Sequence, residues 1–488
     1  MRTIFHLVPL LALLPLAGYA ADPVTIPAAR LEDQIRGGLL GQIIGDLNGL
    51  KHEMRYIAEP GNVTSYVPEL KDGAWTDDDT DIEWIYLAEM QRSGKILTPY
   101  ARMPDLWKRH INRKIWCSHL YLRQLLDLGI APTLTGSVHV NPWAEFNLSG
   151  QFVSESWGLI SPGMPQTAAR TGIHYTHVSV DGEPIQSTQL FAAMIATAFL
   201  TSDIDKILDA GIASIDPKSQ MAQVVRDIRQ WHREHPEDWR VTRRLLRDKY
   251  AIHGGQDMRD RNGVLLNGAS TVAALLYGHG DFVETLRCAF NFGWDADNNA
   301  ATSGTILGVI KGERWIRSQG WQLMDFFRNT SRDEMPMDET MTRYGDRLVA
   351  LARQVIREHG GAKSGSAGQA VYTVRVESPA NVEPLPDFAR QKAELREEQL
   401  PLLELDLTHQ ATAVSRARAV YLALCLDLAD ELRASSPQAW AEGVRDLGAQ
   451  AKLLQAIWFE SDIPAGRAIR DKLVAAGVQA PAARLKFE

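Results

Sequence analysis

The chain has 488 residues, 45% of them apolar and 23% charged. At roughly 100 to 200 residues per domain, that length allows two to four domains or one large domain with an appendage, and the composition is that of a folded protein. A single small module and wholesale disorder are thereby excluded, and 60 acidic residues against 52 basic ones, a net charge of -8, argue against nucleic acid as a partner.

The chain opens with Arg2, an apolar run over residues 7–16 and the small-residue stretch Gly18-Tyr19-Ala20, the pattern of a secretory signal peptide cleaved after Ala20. The run is far shorter than the roughly 20 residues of a membrane span. Residues 1–20 are therefore expected to be removed, leaving an exported protein, periplasmic or secreted, with no stable membrane anchor. A monomer is expected. The three cysteines, Cys117, Cys288 and Cys425, are odd in number and widely spaced, which is no disulfide framework. All three read as core packing.

Gly37, Gly41, Gly45 and Gly49 recur at fourfold spacing in a segment, residues 31–50, that otherwise reads as a helix; Ala300, Gly304, Gly308 and Gly312 repeat the pattern. Each interior glycine costs a helix about 0.8 to 1 kcal/mol relative to alanine, so the stripes imply flat surfaces for close helix packing. The same spacing suits dimerising membrane spans, but Asp33, Gln42, Asp46, Asn48 and Lys51 in the first segment exclude lipid. Both are expected to be central helices of a soluble bundle.

Between the stripes, Trp75-Thr76-Asp77-Asp78-Asp79-Thr80-Asp81-Ile82-Glu83 packs five carboxylates into seven positions before an apolar helical pattern. Thr80 with Glu83 has capping-box spacing, and carboxylates are favoured at a helix N-terminus. That leaves Asp77, Asp78 and Asp79, and two carboxylates 4 Å apart repel by about 4 kcal/mol at an effective dielectric of 20. Either the group is a solvated cap, or a hard divalent cation turns the repulsion into binding. The second striped helix opens with Gly293-Trp294-Asp295-Ala296-Asp297-Asn298-Asn299. An EF-hand is rejected there, because Ala300 stands where the loop needs glycine and Ile306 where it needs glutamate. Two clusters converging on one binuclear site, with metals about 3.5 to 4 Å apart, would instead activate water and clamp substrate oxygens.

Further along, Gly360-Gly361-Ala362-Lys363-Ser364-Gly365-Ser366-Ala367-Gly368 has the composition of a flexible linker, and Tyr372-Thr373-Val374-Arg375-Val376 alternates as a strand does. The expected organisation is a helical domain over residues 28–358, a linker over 359–371 and a mostly helical C-terminal domain over 372–488. Residues 411–434, 438–459 and 465–476 read as its amphipathic helices. With a linker between that domain and every candidate site residue, a chain ending near residue 360 is expected to keep metal binding and activity.

Three collinear motifs resemble the ADP-ribosylglycohydrolase family, which includes dinitrogenase reductase-activating glycohydrolases and ADP-ribosylhydrolases. Ile35-Arg36-Gly37-Gly38-Leu39-Leu40-Gly41-Gln42-Ile43-Ile44-Gly45-Asp46 is similar to the family's opening helix, which leads to a glutamate matched by Glu53. Asp77 to Thr80 is similar to its T-D-D-T motif, and the run from Gly293 to Ala301 to its G-G-D-T-D-T-x-A-A motif. The resemblance implies an all-α orthogonal bundle and two Mg2+ or Mn2+ ions held by Asp77, Asp78, Asp79, Asp295, Asp297 and Asn298. It also implies hydrolysis of a ribosyl C1 bond in an ADP-ribosyl-type or other small-molecule substrate, with Glu53, Asp78 and Asp295 as catalytic residues. Asp77 and Asn298 stand where the family has threonine, and Trp294 replaces a glycine beside the site. If Thr80 aligns with the motif's second threonine, the matched aspartates are Asp78 and Asp79; if Thr76 is instead its first threonine, they are Asp77 and Asp78. Thr176-His177 resembles a family T-H segment near the ligand, so His177 and Trp294 are the expected substrate contacts. The alternatives are a hydrolase of another glycoside or nucleoside on the same scaffold and a non-catalytic structural or binding member.

Overall fold

The computed structural model describes residues 23–366, 368–409 and 411–484; the expected signal peptide lies outside them. The fold is all-α with two small sheets. At its centre, α1 (Ala28–Gly49) and α4 (Ala296–Lys311) are buried along almost their whole length, several polar side chains included. Their glycine stripes face each other in antiparallel register: Gly37 against Gly308, Gly41 against Gly304, Gly45 against Ala300 and Gly49 against Asp297. A Cβ at Gly41 would stand 2.1 Å from the Gly304 carbonyl oxygen, so the backbones touch where side chains would normally intervene. This antiparallel pairing lays the C-terminal end of α1 on the N-terminal end of α4.

A third helix, α2 (Asp78–Ser93), buries Ile82, Trp84, Ile85, Leu87 and Met90. Its start is set by a small sheet in which β2 (Ala74–Trp75) pairs with β3 (Phe327–Arg328), itself paired with β4 (Asp338–Glu339). The capping box expected from Thr80 and Glu83 does not form. Asp77 is the N-cap, and Thr80 lies inside the helix, donating its hydroxyl to the Asp77 carbonyl at 3.2 Å. Glu83 is wholly buried and accepts from the Ser156 amide and hydroxyl.

The segment expected to be a linker forms a hairpin instead. β5 (Ala362–Ser364) pairs with β6 (Val371–Val374), and β6 pairs antiparallel with β1 (Val24–Pro27) at the start of the described chain. Gly365, at φ +94, supplies the turn conformation that other residues adopt at a cost. Tyr372 and Val374 are buried, so the sheet closes the bundle where its two ends meet.

Beyond it, the helices are more broken than the amphipathic pattern suggests. α5 (Phe388–Thr408), with Pro401 in its interior, precedes α6 (Ala413–Cys425), Ala429–Ser435, α7 (Pro437–Gly448), Ala451–Gln455 and α8 (Pro464–Ala475). This region has a core that includes Leu403, Leu407, Tyr421, Leu432, Trp440 and Leu473, but the core is not its own. Tyr121, Leu125, Leu128, Ile130, Val140 and Trp143 complete it, the first three from in and beside α3 (Cys117–Asp127). The Tyr121 and Tyr421 hydroxyls lie 2.7 Å apart across that joint. Residues beyond 360 therefore share an apolar core with the preceding bundle, which supplies six of its buried side chains. Among the described residues no helix is long and apolar enough to cross a membrane.

Candidate metal centre and active-site cavity

The three helix ends meet at one cavity of about 450 Å³. α1 ends at Gly49 and runs through a short turn, Leu50–His52, into Glu53. The N-terminal ends of α2 and α4 supply Asp77, Asp78 and Asp79, and Asp295 and Asp297. All six carboxylates line the cavity with Asn147, Arg261 and Asn262. The positive ends of two helix dipoles point at this negative group. Thr76 turns away: its hydroxyl contacts those of Thr330 and Ser331 at 3.1 and 2.8 Å. The cavity thus takes Asp77, Asp78 and Asp79 as a block.

At the floor, Asp46, Asp77, Asp79 and Asp297 each offer an oxygen, all within 4.8 Å of one another. Asp46 is completely buried, and neither of its oxygens, nor Asp297 Oδ1, has a hydrogen-bond partner. Unsatisfied buried carboxylate oxygens are costly unless something else binds them. Burial, and then the charges of Asp77 and Asp78, raise Asp46 well above the usual carboxylate range. Asp78, Asp79 and Asp297 are raised in the same way, by burial first and the neighbouring carboxylates second. Asp295 is pushed up to about 8 by burial and by Glu53. Glu53, at the cavity edge, is raised by desolvation and Asp77, against the opposing charge of Arg261. These groups cannot all ionise unaided, and an all-oxygen cluster of this kind fits a hard divalent cation.

Asp46 is the member of this cluster that sequence reading misses. Its signal is there, a carboxylate in a helix otherwise buried by apolar residues and glycines, but it reads equally as evidence against a lipid environment. Asn298, expected as a ligand, is buried beside the cluster: its amide N–H donates to Asp79 Oδ1 at 2.8 Å, and its own Oδ1 has no hydrogen-bond partner. Asp295 is held by the Asn262 amide at 3.3 Å, and its own backbone N–H donates to Asn267 at 3.0 Å.

Both expected substrate contacts lie elsewhere. Trp294 is fully buried with φ +53, a left-handed turn that sends the indole inward, where the Arg243 guanidinium sits 3.4 Å from its ring centroid. Arg243 donates to the carbonyls of Phe292, Tyr56 and Ile57, and the Trp294 carbonyl accepts from the Met54 N–H at 2.7 Å. Together they fasten the Glu53 loop to the start of α4. His177 lines a separate cavity beside α5 and pairs with Glu383 at 2.7 Å. Burial alone would lower its pKa, and Glu383 raises it above the ordinary value. Cys117 packs against the C-terminal core, as expected, and also lines this cavity. Burial and the charges of Asp295 and Asp78 push its thiol up.

A helical bundle with carboxylates gathered at the ends of two glycine-striped helices matches the ADP-ribosylglycohydrolase family over residues 27–365. The chain belongs to the ADP-ribosylglycohydrolase family. No curated protein matches it significantly. The family match ends just past β5, so it covers α1 to α4 and the carboxylates they carry and leaves the C-terminal helices outside it.

Proposed function

We propose that the protein is an exported, divalent-metal-dependent glycohydrolase that cleaves the ribosyl C1 bond of an ADP-ribosylated or related riboside. The observation that carries this reading is the four-carboxylate cluster with its orphaned Asp46 and Asp297 oxygens, set in a bundle of this family. Asp46, Asp77, Asp79 and Asp297 would hold one Mg2+ or Mn2+, and Asp78 and Asp295, on the same cavity wall, would complete a second site. Bound there, the ions supply a positive field that orients ribose hydroxyls and eases loss of a proton from water.

The chain's own residues do the rest. Glu53 reaches the cavity from a loop clamped by Arg243 and Trp294, and its raised pKa suits a group that takes a proton from the water attacking C1. Asn298 and Asn262 keep Asp79 and Asp295 in orientation. The apolar side chains that line the cavity, Leu120, Leu148 and Phe152 among them, limit competing water.

The test is a screen of the Mn2+-loaded protein against ADP-ribosyl, nucleoside and aryl-riboside substrates, beside Glu53→Gln and Asp297→Asn. Turnover that chelation abolishes and both variants lose is expected. Turnover that survives chelation would overturn the metal reading, and absence of turnover on every riboside would overturn the substrate class.

A further inference from the structure

The active-site cavity has a wall that the family match does not contain. Phe459, Glu460 and Asp462, from the C-terminal region, line it beside Glu53 and the aspartates, although the family match ends at residue 365. They sit on a turn where the main chain widens into a π-helix, Ala456–Glu460, a local distortion that commonly re-aims side chains at functional sites.

The turn is held firmly. Trp143 donates its indole N–H to the Ser461 hydroxyl at 3.0 Å. Arg470 donates to the Trp458 carbonyl at 3.1 Å and pairs with Asp462 at 2.7 Å, and Arg484 pairs with Glu460 at 2.7 Å. The turn packs on α3, whose first residues, with the preceding Trp116, form the adjoining wall. Ile457 and Trp458 join the C-terminal core, whereas Phe459 and Trp116 belong to neither core. Trp116 is 56% exposed, and both rings border the cavity.

Two aromatic side chains outside either apolar core line one cavity and offer apolar ring surface to whatever enters. On the same turn Glu460 and Asp462 are already paired with Arg484 and Arg470, and the other neighbours, Leu120, Phe152 and Met258, carry no strong hydrogen-bonding group, so this side offers sugar hydroxyls few free partners. The bundle's carboxylates and asparagines offer more. A group that matches the apolar side is planar and aromatic, gaining by stacking and by covering Trp116.

We propose that the 456–462 turn makes the C-terminal region a specificity element of the active site, and that Phe459 with Trp116 grips a planar aromatic ring of the substrate. The inference rests on the riboside reading only for the identity of the remainder of that substrate.

The experiment uses the full-length, Mn2+-loaded protein and three probes, adenine, adenosine and ribose, followed by calorimetry and intrinsic tryptophan fluorescence. Phe459→Ala and Trp116→Ala should each weaken adenine and adenosine by about 5- to 150-fold, the range for loss of one ring stack. Ribose affinity should be unchanged, and Phe459→Tyr should restore ring binding. Mn2+ uptake and thermal melting of each variant, matched to the parent, separate loss of stacking from misfolding. Adenine binding that depends on Phe459, with no ribose bound and no riboside turned over, would uphold the wall and sink the riboside reading. Equal loss of ribose and adenine in Phe459→Ala, ring binding unaffected in both alanine variants, or no adenine binding by the parent would overturn the proposal.

Discussion

Adding one methyl group at Gly45 probes the helix pair and the metal centre together. A Cβ there would lie 2.1 Å from the carbonyl oxygen of Ala300, 2.4 Å from its carbonyl carbon and 2.8 Å from the amide nitrogen of Ala301. All three are backbone atoms, so no rotamer change relieves the clash, and ordinary contact begins at 3.4 Å. α1 and α4 must separate locally by more than an ångström. On an exposed helix Gly→Ala would gain about 0.8 to 1 kcal/mol; overpacking of a close-fitted core costs about 1 to 3 kcal/mol or more. The second effect should win, leaving Gly45→Ala less stable by about 2 kcal/mol. The displacement also falls beside Asp46, and metal–ligand distances tolerate only about 0.2 Å, so divalent-metal affinity should drop at least about tenfold. Thermal melting with and without Mn2+, together with calorimetric titration, measures both. Gly448→Ala is the control, since a Cβ at that position, the end of α7, meets nothing within 4 Å, and it should be neutral or slightly stabilising. A Gly45→Ala protein that melts at or above the parent temperature with unchanged metal uptake would refute the backbone-contact account.

Asp46→Asn should lose most of the calorimetric Mn2+ signal while folding normally, because it removes a charge from the four-oxygen cluster and relieves repulsion; uptake equal to the parent would exclude Asp46 as a ligand. Asp295, raised from 3.8 to about 8, binds its proton more tightly folded than unfolded, so its stabilising contribution is full below about pH 4 and lost as pH rises to about 8. Chelator-stripped protein should accordingly melt lower as pH rises through that window, with a shallower slope in Asp295→Asn and restoration by Mn2+ near pH 8; identical slopes would contradict the assignment. A chain ending at residue 365 uncovers Tyr121, Leu125, Leu128, Ile130, Val140 and Trp143, worth roughly 10 kcal/mol of burial at about 1.5 to 3 kcal/mol each. It should bind hydrophobic dyes and aggregate, and a monodisperse, active truncation would show the joint to be dispensable. Arg332 pairs with Asp81 at 2.7 Å with both side chains fully buried, so Arg332→Met should cost about 3 to 5 kcal/mol by stranding Asp81, measurable by denaturant unfolding.

The sequence by itself determined that the protein is helical, that two helices carry matching glycine faces, and that acidic runs stand at helix starts. Each of these is local, since a period of about 3.6 residues puts every fourth residue on one face whatever surrounds it. The same locality explains the misreadings. Asp46 looks like any polar residue on α1 until packing against α2 and α4 sets it 4.8 Å or less from carboxylate oxygens of Asp77, Asp79 and Asp297. Trp294 neighbours Asp295 in sequence, yet its left-handed backbone turns the ring toward Arg243. Glycine and serine around residue 365 read as a free linker, though pairing of β5 with β6, which in turn pairs with β1 more than 300 residues away, makes the segment part of a sheet. Only the tertiary structure decided that Phe459, Glu460 and Asp462 share a cavity with Glu53, because which distant segments meet is set by how whole elements bury their apolar faces against one another, and no spacing within one segment encodes that.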